Sequence, residues 1–230
     1  MKQNEVEGAA SEAGSRTERA YQRLRQEILQ GELTPNERLR VADLETRFEL
    51  GLTPIREGLA RLASEGLVAM EAHRGARVLE ASPAELADLM RTRREIERLC
   101  LSASIERGDA VWEAEVMAAL HVLTRTPLPE PGAPAAATAD WEAKHRRFHA
   151  ALVGACGSQW LLRFWNQLVD HSQRYRKIRL KGPLIVRDVQ AEHQEILDAV
   201  LRRDAPLAVA LMDRHLRETE EAVAGASPAR

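Results

Sequence analysis

Apolar residues recur along this chain at three- and four-residue spacing, the period of helices buried on one face. Ala20, Tyr21, Leu24, Ile28 and Leu29 share such a face and predict a helix from Thr17 that Gly31 ends. After the turn Thr34-Pro35-Asn36-Glu37, two shorter helical patterns follow, Val41 to Glu49 and Thr53 to Glu65, tightly connected around Gly51. Thr53-Pro54-Ile55-Arg56-Glu57 reads as a helix start, with a hydroxyl at the N-cap and Pro at the first helical position. Glu65-Gly66-Leu67-Val68 then stops the helix. The short apolar runs Leu67 to Met70 and Ala76 to Leu79 flank His73-Arg74-Gly75, the pattern of a small hairpin. Helix, turn, helix and hairpin in that order predict a winged helix-turn-helix, whose partner is double-stranded DNA.

Beyond residue 80 the period stays helical. Ser82-Pro83 with Glu85 opens a long helix to Glu106, with Leu86, Leu89, Ile96, Leu99 and Ile105 expected on its buried side. Further helices are expected over Val111 to Leu123, Trp141 to Ala155, Gln159 to about Ile178, Leu184 to Arg202 and Pro206 to Val223. The Pro- and Ala-rich stretch 125–139 is expected to be a loop. Short connections imply antiparallel neighbours. The fold class is therefore mostly α: an N-terminal winged helix-turn-helix over 16–80 and an antiparallel all-helical bundle of about six helices over 81–224. Residues 1–15 and 225–230, without periodicity, are expected to be disordered tails.

Composition narrows this further. The 230 residues are 44% hydrophobic and 30% charged, the values of a soluble globular protein, and 4% aromatic content argues against a β-rich fold. No apolar run reaches the length of a membrane helix and no signal-peptide core is present, so the expected address is cytoplasmic, with no membrane partner. Two cysteines, Cys100 and Cys156, are too few for a disulfide framework. The net charge of −2 means DNA affinity must come from local placement of Arg and from two heads acting together.

In a helix-turn-helix, residues near the start of the second helix reach base edges. Here these are Thr53, Arg56 and Glu57, with Arg61 one turn further on and nearer the backbone. Arg56 can donate two hydrogen bonds to guanine. His73, Arg74 and Gly75 at the wing tip suit a phosphate or minor-groove contact. The competing reading makes Arg56 and Arg61 solvated charges on a helix that only packs.

A second constellation lies in the bundle. His145 and His149, four apart, project from one helix face, and His193 and His215 sit near the middles of the last two helices. Four imidazoles can converge there on a transition metal, since imidazole nitrogen suits Zn, Ni, Cu or Fe while Ca and Mg want oxygen ligands. The alternative makes His145 and His149 two exposed or separately bonded side chains. An enzyme reading fits poorly: Arg146 stands where a zinc protease needs its general-base Glu. Only Glu142 with His145 supplies a Glu-x-x-His pair, where a di-iron bundle needs two.

Residues 17–79 resemble the DNA-binding domain of GntR-type bacterial transcription regulators. The resemblance runs from Gly31-x-Leu33-x-Pro35 through Leu39, Leu44, Phe48, Thr53-Pro54-Ile55-Arg56-Glu57, Leu59, Leu62 and Glu65-Gly66-Leu67-Val68 to Arg74-Gly75 and Val78. Residues 83–223 resemble the FCD ligand-binding domain of the FadR branch, through Arg93-x-x-x-Glu97, His145-x-x-Phe148-His149, Glu192-His193-x-x-Ile196 and Met212-x-x-His215-Leu216. The family's Gly-Val-Ser-Arg-Thr-Pro becomes Glu49-Leu50-Gly51-Leu52-Thr53-Pro54, so Leu52 stands where a DNA-contacting Arg is usual. His149, His193 and His215 fall on the three histidine positions of the metal-binding members, and His145 falls where most carry Asp or Asn. That exchange makes the ligand set all-nitrogen, favouring Zn, Ni or Cu over Mn or Mg. The resemblance also implies a homodimer on an inverted-repeat operator, repression, and a small carboxylate effector received by Arg93. Arg93 equally fits a surface salt bridge to Glu97. Two other readings of the whole stand beside this one: a metal sensor without an organic effector, and a metal-dependent bundle enzyme fused to a DNA-binding head.

Overall fold

A computed structural model describes residues 2–71, 75–130, 133–179 and 188–224, with side chains from residue 14 onward except those of 178 and 179. The chain divides into two compact units, Met1–Ser82 with Gln173–Ile178, and Pro83–Ser172 with Arg179–Arg230.

The first unit, the head, holds α1 (Lys2–Leu29), β1 (Arg38–Leu39), α2 (Val41–Phe48), α3 (Leu52–Ser64), β2 (Val68–Glu71) and β3 (Gly75–Val78). The strands form an antiparallel sheet in the order β1-β3-β2, with Leu39 opposite Ala76 and Val68 opposite Val78. Leu24 and Ile28 from α1, Leu44 and Phe48 from α2, Ile55, Leu59 and Leu62 from α3, and Val68 and Val78 from the sheet make one core. Each such side chain contributes about 1.5–3 kcal/mol on burial. The backbones of α1 and α3 approach closely at Gly58, where a Cβ would lie 3.1 Å from the amide nitrogen of Tyr21. Gly31, at φ +74°, ends α1 as its sequence predicts, and the Glu32 amide donates to the Glu27 carbonyl at 2.9 Å.

Two expectations for the head need correction. Residues 2–15, expected as a disordered tail, continue α1 as helix; Ala and Glu are good helix formers and need no buried face to follow an established helix. The N-cap of α3 is Gly51, at φ +82°, so Thr53 falls inside the first turn and caps nothing. Pro54 is tolerated there because first-turn amides have no helical acceptor.

The second unit holds α4 (Pro83–Arg107), α5 (Ala110–Thr124), α6 (Ala135–Val153), α7 (Gln159–Arg179, its residues 173–178 grouping with the head), α8 (Val189–Leu201) and α9 (Ala205–Ala224). Here α4 packs on α6 and α9, α5 on α6 and α8, and α8 on α9. The breaks are capped by carboxylates: Asp109 accepts from the Trp112 amide, Asp188 from Ala191 and Asp204 from Leu207, at 2.9–3.0 Å.

Helix α6 starts inside the stretch expected to be a loop. Pro134 occupies its N-cap, and the run Ala135–Ala137 behind it is strong helix former. Helix α8, expected from Leu184, is described from Val189; residues 180–187 and the tail at 225–230 lie outside the described residues. The buried face of α4 also differs from the expected stripe. It runs Leu86, Met90, Arg93, Glu97, Cys100, Leu101, Ser104 and Ile105, while Leu99 is 42% exposed. The shift is possible because Arg93 and Glu97, four residues apart, neutralise each other inside. Cys100 and Cys156 are free and buried beside Val153, Trp165 and Val169. Burial, with Cys156 alongside, pushes the Cys100 thiol up to about 12, so it packs as an inert apolar group. No described helix is long and apolar enough to cross a membrane.

Candidate metal centre and nucleic-acid interface

Three helices of the second unit bring the predicted histidines together. His145 and His149 come from successive turns of α6, His193 from α8 and His215 from α9. All four are buried, and one ligand atom from each lies within 4.8 Å of every other. The Nε2 atoms of His145 and His149 are 3.2 Å apart. A tetrahedral zinc with Zn–N of about 2.0–2.1 Å separates its nitrogens by about 3.3 Å, and an octahedral ion separates opposite ones by about 4.1 Å. The His145–His149 pair already has the tetrahedral spacing, the cluster as a whole spans up to 4.8 Å and would draw in slightly around one ion, and its donors are the nitrogens a first-row ion prefers.

The rings are held by their neighbours. Trp141, one turn before His145 on α6, stacks on it with centroids 4.7 Å apart and planes 15° from parallel. Phe148 meets His149 and His193 edge-on, with centroids at 5.5 and 5.0 Å. Glu192 lies across the α8–α9 contact, its Oε2 2.8 Å from Nδ1 of His215. Nothing in the periodicity marked Glu192, because the link is between helices; it entered only within the motif Glu192-His193-x-x-Ile196, with no role of its own.

Arg93 is not on the surface. Its guanidinium is buried, with Nε 3.8 Å from Oε2 of Glu97, which also accepts from the Trp165 indole at 2.8 Å. The surface salt bridge expected for this pair is an interior one. Burial holds the Glu97 carboxyl above its ordinary range, against the opposing pull of Arg93 and Trp165.

In the head, Thr53 and Arg56 are exposed on the first turns of α3. Arg56 lines a cleft of about 1040 Å³ between α3 and the sheet, with Arg38, Arg40, Glu57, Met70, Glu71 and Gly75 among its walls. Gly75 is forced to be glycine: at φ +92°, a Cβ would stand 2.2 Å from the Leu39 carbonyl oxygen. Arg38 and Arg77 both engage Glu71 of the wing, at 3.5 and 2.7 Å. Arg40 and Arg56 have no ion-pair partner among the described residues. Arg61 faces the other way, its guanidinium 3.6 Å from the Tyr21 ring centroid and 2.7 Å from Glu18 on α1. His73 and Arg74 lie outside the described residues. Sequence reasoning passed over Arg38 and Arg40, whose arrival in the cleft depends on the β1–β3 pairing.

A winged helix-turn-helix head in one chain with an all-helical domain defines a class, the DNA-binding transcriptional regulators. Residues 16–78 match the gntR family of bacterial regulatory proteins and residues 88–218 match the FCD domain. The chain belongs to the GntR family, among the members that carry an FCD domain. It is 36% identical over 200 residues to the HTH-type transcriptional repressor GlaR of Escherichia coli K12, covering 85% of this chain and 90% of that one. Over 202 residues it is 35% identical to BphR of Paraburkholderia xenovorans, an HTH-type transcriptional regulator, covering 88% and 82%. Among solved structures, E. coli McbR/YncC superposes with a TM-score of 0.73 at 19% identity, covering 88% of this chain and 94% of that one. A putative GntR regulator from Rhodococcus sp. RHA1 gives 0.72 at 22%, covering 93% and 100%. At those identities the solved structures speak to the fold. The families and relatives are regulators, not enzymes.

Proposed function

We propose that the chain is a homodimeric repressor that binds an inverted-repeat operator and answers to a metal-dependent signal in its helical domain. The observation that carries this reading is the buried convergence of His145, His149, His193 and His215 in a chain whose head is a DNA reader. Repression is suggested by the GlaR relative, and two heads related by a two-fold axis suit two half-sites. On DNA, Thr53 and Arg56 read base edges and Gly75 lets the wing approach closely. His73 and Arg74 at the wing tip belong to the same reading set. Arg40 and Arg38 add phosphate contacts from the cleft wall. Arg61, perched on Tyr21, serves the operator by fixing α3 against α1.

The metal is a transition ion, Zn or Ni. The four ligands carry no negative charge, so a bound divalent ion would be offset only through Glu192 behind His215 and would still attract an anion. A small organic acid, drawn by its carboxylate to the charge such an ion would bring, is the effector that fits. Arg93 is the second anchor, and an acid that takes it competes with Glu97. One observation favours a second reading. Four imidazoles complete a tetrahedral zinc and leave it no open position, which makes the metal itself the signal.

Operator affinity decides between them, measured for the metal-free chain, the metal-loaded chain, and the loaded chain with a panel of small carboxylates. The purified protein is expected to retain about one ion per chain. One acid is expected to change loaded-chain affinity at least tenfold, a coupling of about 1.4 kcal/mol. A shift between metal-free and loaded forms that no acid modifies establishes the metal sensor instead. Identical affinity in all three states overturns both.

A further inference from the structure

We propose that Glu192 is a positioning residue for the metal centre, fixing which nitrogen His215 presents. The proposal rests on the reading that the four histidines hold a metal.

Helix α8 acts on the cluster twice through consecutive residues. His193 enters it directly, while Glu192 reaches α9 and places Oε2 2.8 Å from Nδ1 of His215. An ionised carboxylate only accepts hydrogen bonds, so this contact requires the proton on Nδ1. The lone pair of His215 is then on Nε2, and the ring cannot turn to offer Nδ1 without losing the carboxylate. The side chains are buried to 4% exposure for His215 and 13% for Glu192, so water competes little for the bond. A carboxylate behind a ligating imidazole also makes it a better electron donor. Here it does more, because the ligand set is four neutral rings: Glu192 brings the negative charge that the ligands lack.

The other rings meet aromatic neighbours, His145 stacking on Trp141 and His149 and His193 meeting Phe148. These contacts fix ring planes but leave the tautomer open. Glu192 places a carboxylate on the Nδ1 side of a candidate ligand. Its place is built in early: Asp188 caps α8 by accepting from Ala191, so Glu192 lies in a fixed first turn.

The test compares the full chain with Glu192→Gln, Glu192→Ala and, as a control, Glu195→Gln. Glu195 lies on the same helix but pairs with Arg214 at an exposed site. Zn affinity is measured by competition with a chromogenic chelator, and the imidazole nitrogens of the metal-free protein by 15N NMR. Glu192→Ala is expected to weaken Zn binding 10- to 100-fold while keeping the wild-type stoichiometry. Glu192→Gln, which keeps an acceptor but loses the charge, is expected to fall between it and wild type. In the metal-free chain, His215 is expected to be protonated on Nδ1, and Glu192→Ala to release it to a mixture. Wild-type Zn affinity in Glu192→Ala, or an unchanged His215 tautomer, overturns the proposal. An equal loss in Glu195→Gln also overturns it, by showing a general charge effect. If the unaltered chain takes up no Zn, the metal reading itself falls; that result differs from a variant that merely matches wild type.

Discussion

The bundle and the head keep their working side chains under opposite conditions. In the bundle, the four imidazoles are at most 6% exposed and each ring touches another. In the head, Arg40 and Arg56 stand in solvent with no ion-pair partner among the described residues. A buried polar cluster is costly unless its groups are satisfied, so the fold must supply partners in advance. Solvated guanidiniums cost nothing while they wait, and lose water only when phosphate or base replaces it. Preorganisation therefore belongs to the bundle, and salt-dependent affinity to the head.

The most severe break in that contrast is expected at another buried polar group of the bundle, the Arg93–Glu97 pair. Glu97→Ala takes the carboxylate from Arg93 and from the Trp165 indole, and is expected to cost about 3–5 kcal/mol of stability in chemical denaturation. The milder Glu97→Gln isolates the proton. Burial raises the folded-state pKa of Glu97 above its unfolded value, so within that window the native state binds the extra proton. Stability from this group is therefore present in acid and lost as pH rises from the unfolded value through the raised one. The stability difference between wild type and Glu97→Gln is expected to shift with pH in that sense. A flat difference between pH 4.5 and 8 would show that Arg93 holds the carboxylate ionised throughout.

In the head the expected effects are on binding, not on folding. Arg56→Ala is expected to lower operator affinity by about 1–3 kcal/mol, while unfolding stability stays within about 0.5 kcal/mol of wild type. Arg40→Ala is expected to weaken binding to any sequence and to reduce the slope of log affinity against log salt by about 1. Arg61→Ala should do the reverse, losing about 0.5–1 kcal/mol of stability with its seat on Tyr21 and reading no base. Footprinting by Arg56→Ala at wild-type strength would remove Arg56 from the reading surface and leave Thr53 and the wing.

The same contrast decides what the sequence could disclose. Features set within one segment were legible: the helix periods, the glycine stop at Gly31, the winged order, and the shared face of His145 and His149. The convergence of His193 and His215 was legible too, because mid-helix positions on neighbouring helices lie at similar depth. Features set by a neighbour were not. Arg93 and Glu97 read as a surface pair because two charges on one helix look alike inside or outside; only the Trp165 indole on another helix reveals the interior. Leu99 read as core because the stripe was drawn through apolar residues, whereas the buried face of α4 runs through that ion pair. The seat of Arg61 on Tyr21 was hidden as well, because Tyr21 belongs to α1. Alternation told of the wing, but only strand pairing showed that Arg38 and Arg40 share a cleft with Arg56.

The smallest expected effect tests the turn that joins α2 to α3. Glu49 closes α2 in the left-handed region, at φ 57° and ψ 35°, and its amide donates to the Glu45 carbonyl at 2.8 Å. This is the position at which the GntR pattern carries Gly. An L-residue there costs roughly 1–2 kcal/mol relative to its preferred backbone. Gly relieves that strain but loses about 0.4–1 kcal/mol through the freer unfolded chain. The Glu49 side chain is exposed and makes no described contact, so nothing else is lost. Glu49→Gly is therefore expected to stabilise the head by about 0.5 kcal/mol, read as a rise in the denaturant midpoint at unchanged slope. Operator affinity should not move, because the cleft and the first turn of α3 keep their places. A loss of stability would mean that the left-handed cap at Glu49 is not strained. A change in operator affinity would mean that this turn sets how α3 is presented, and would tie the unusual Glu49-Leu50-Gly51-Leu52 sequence to DNA preference.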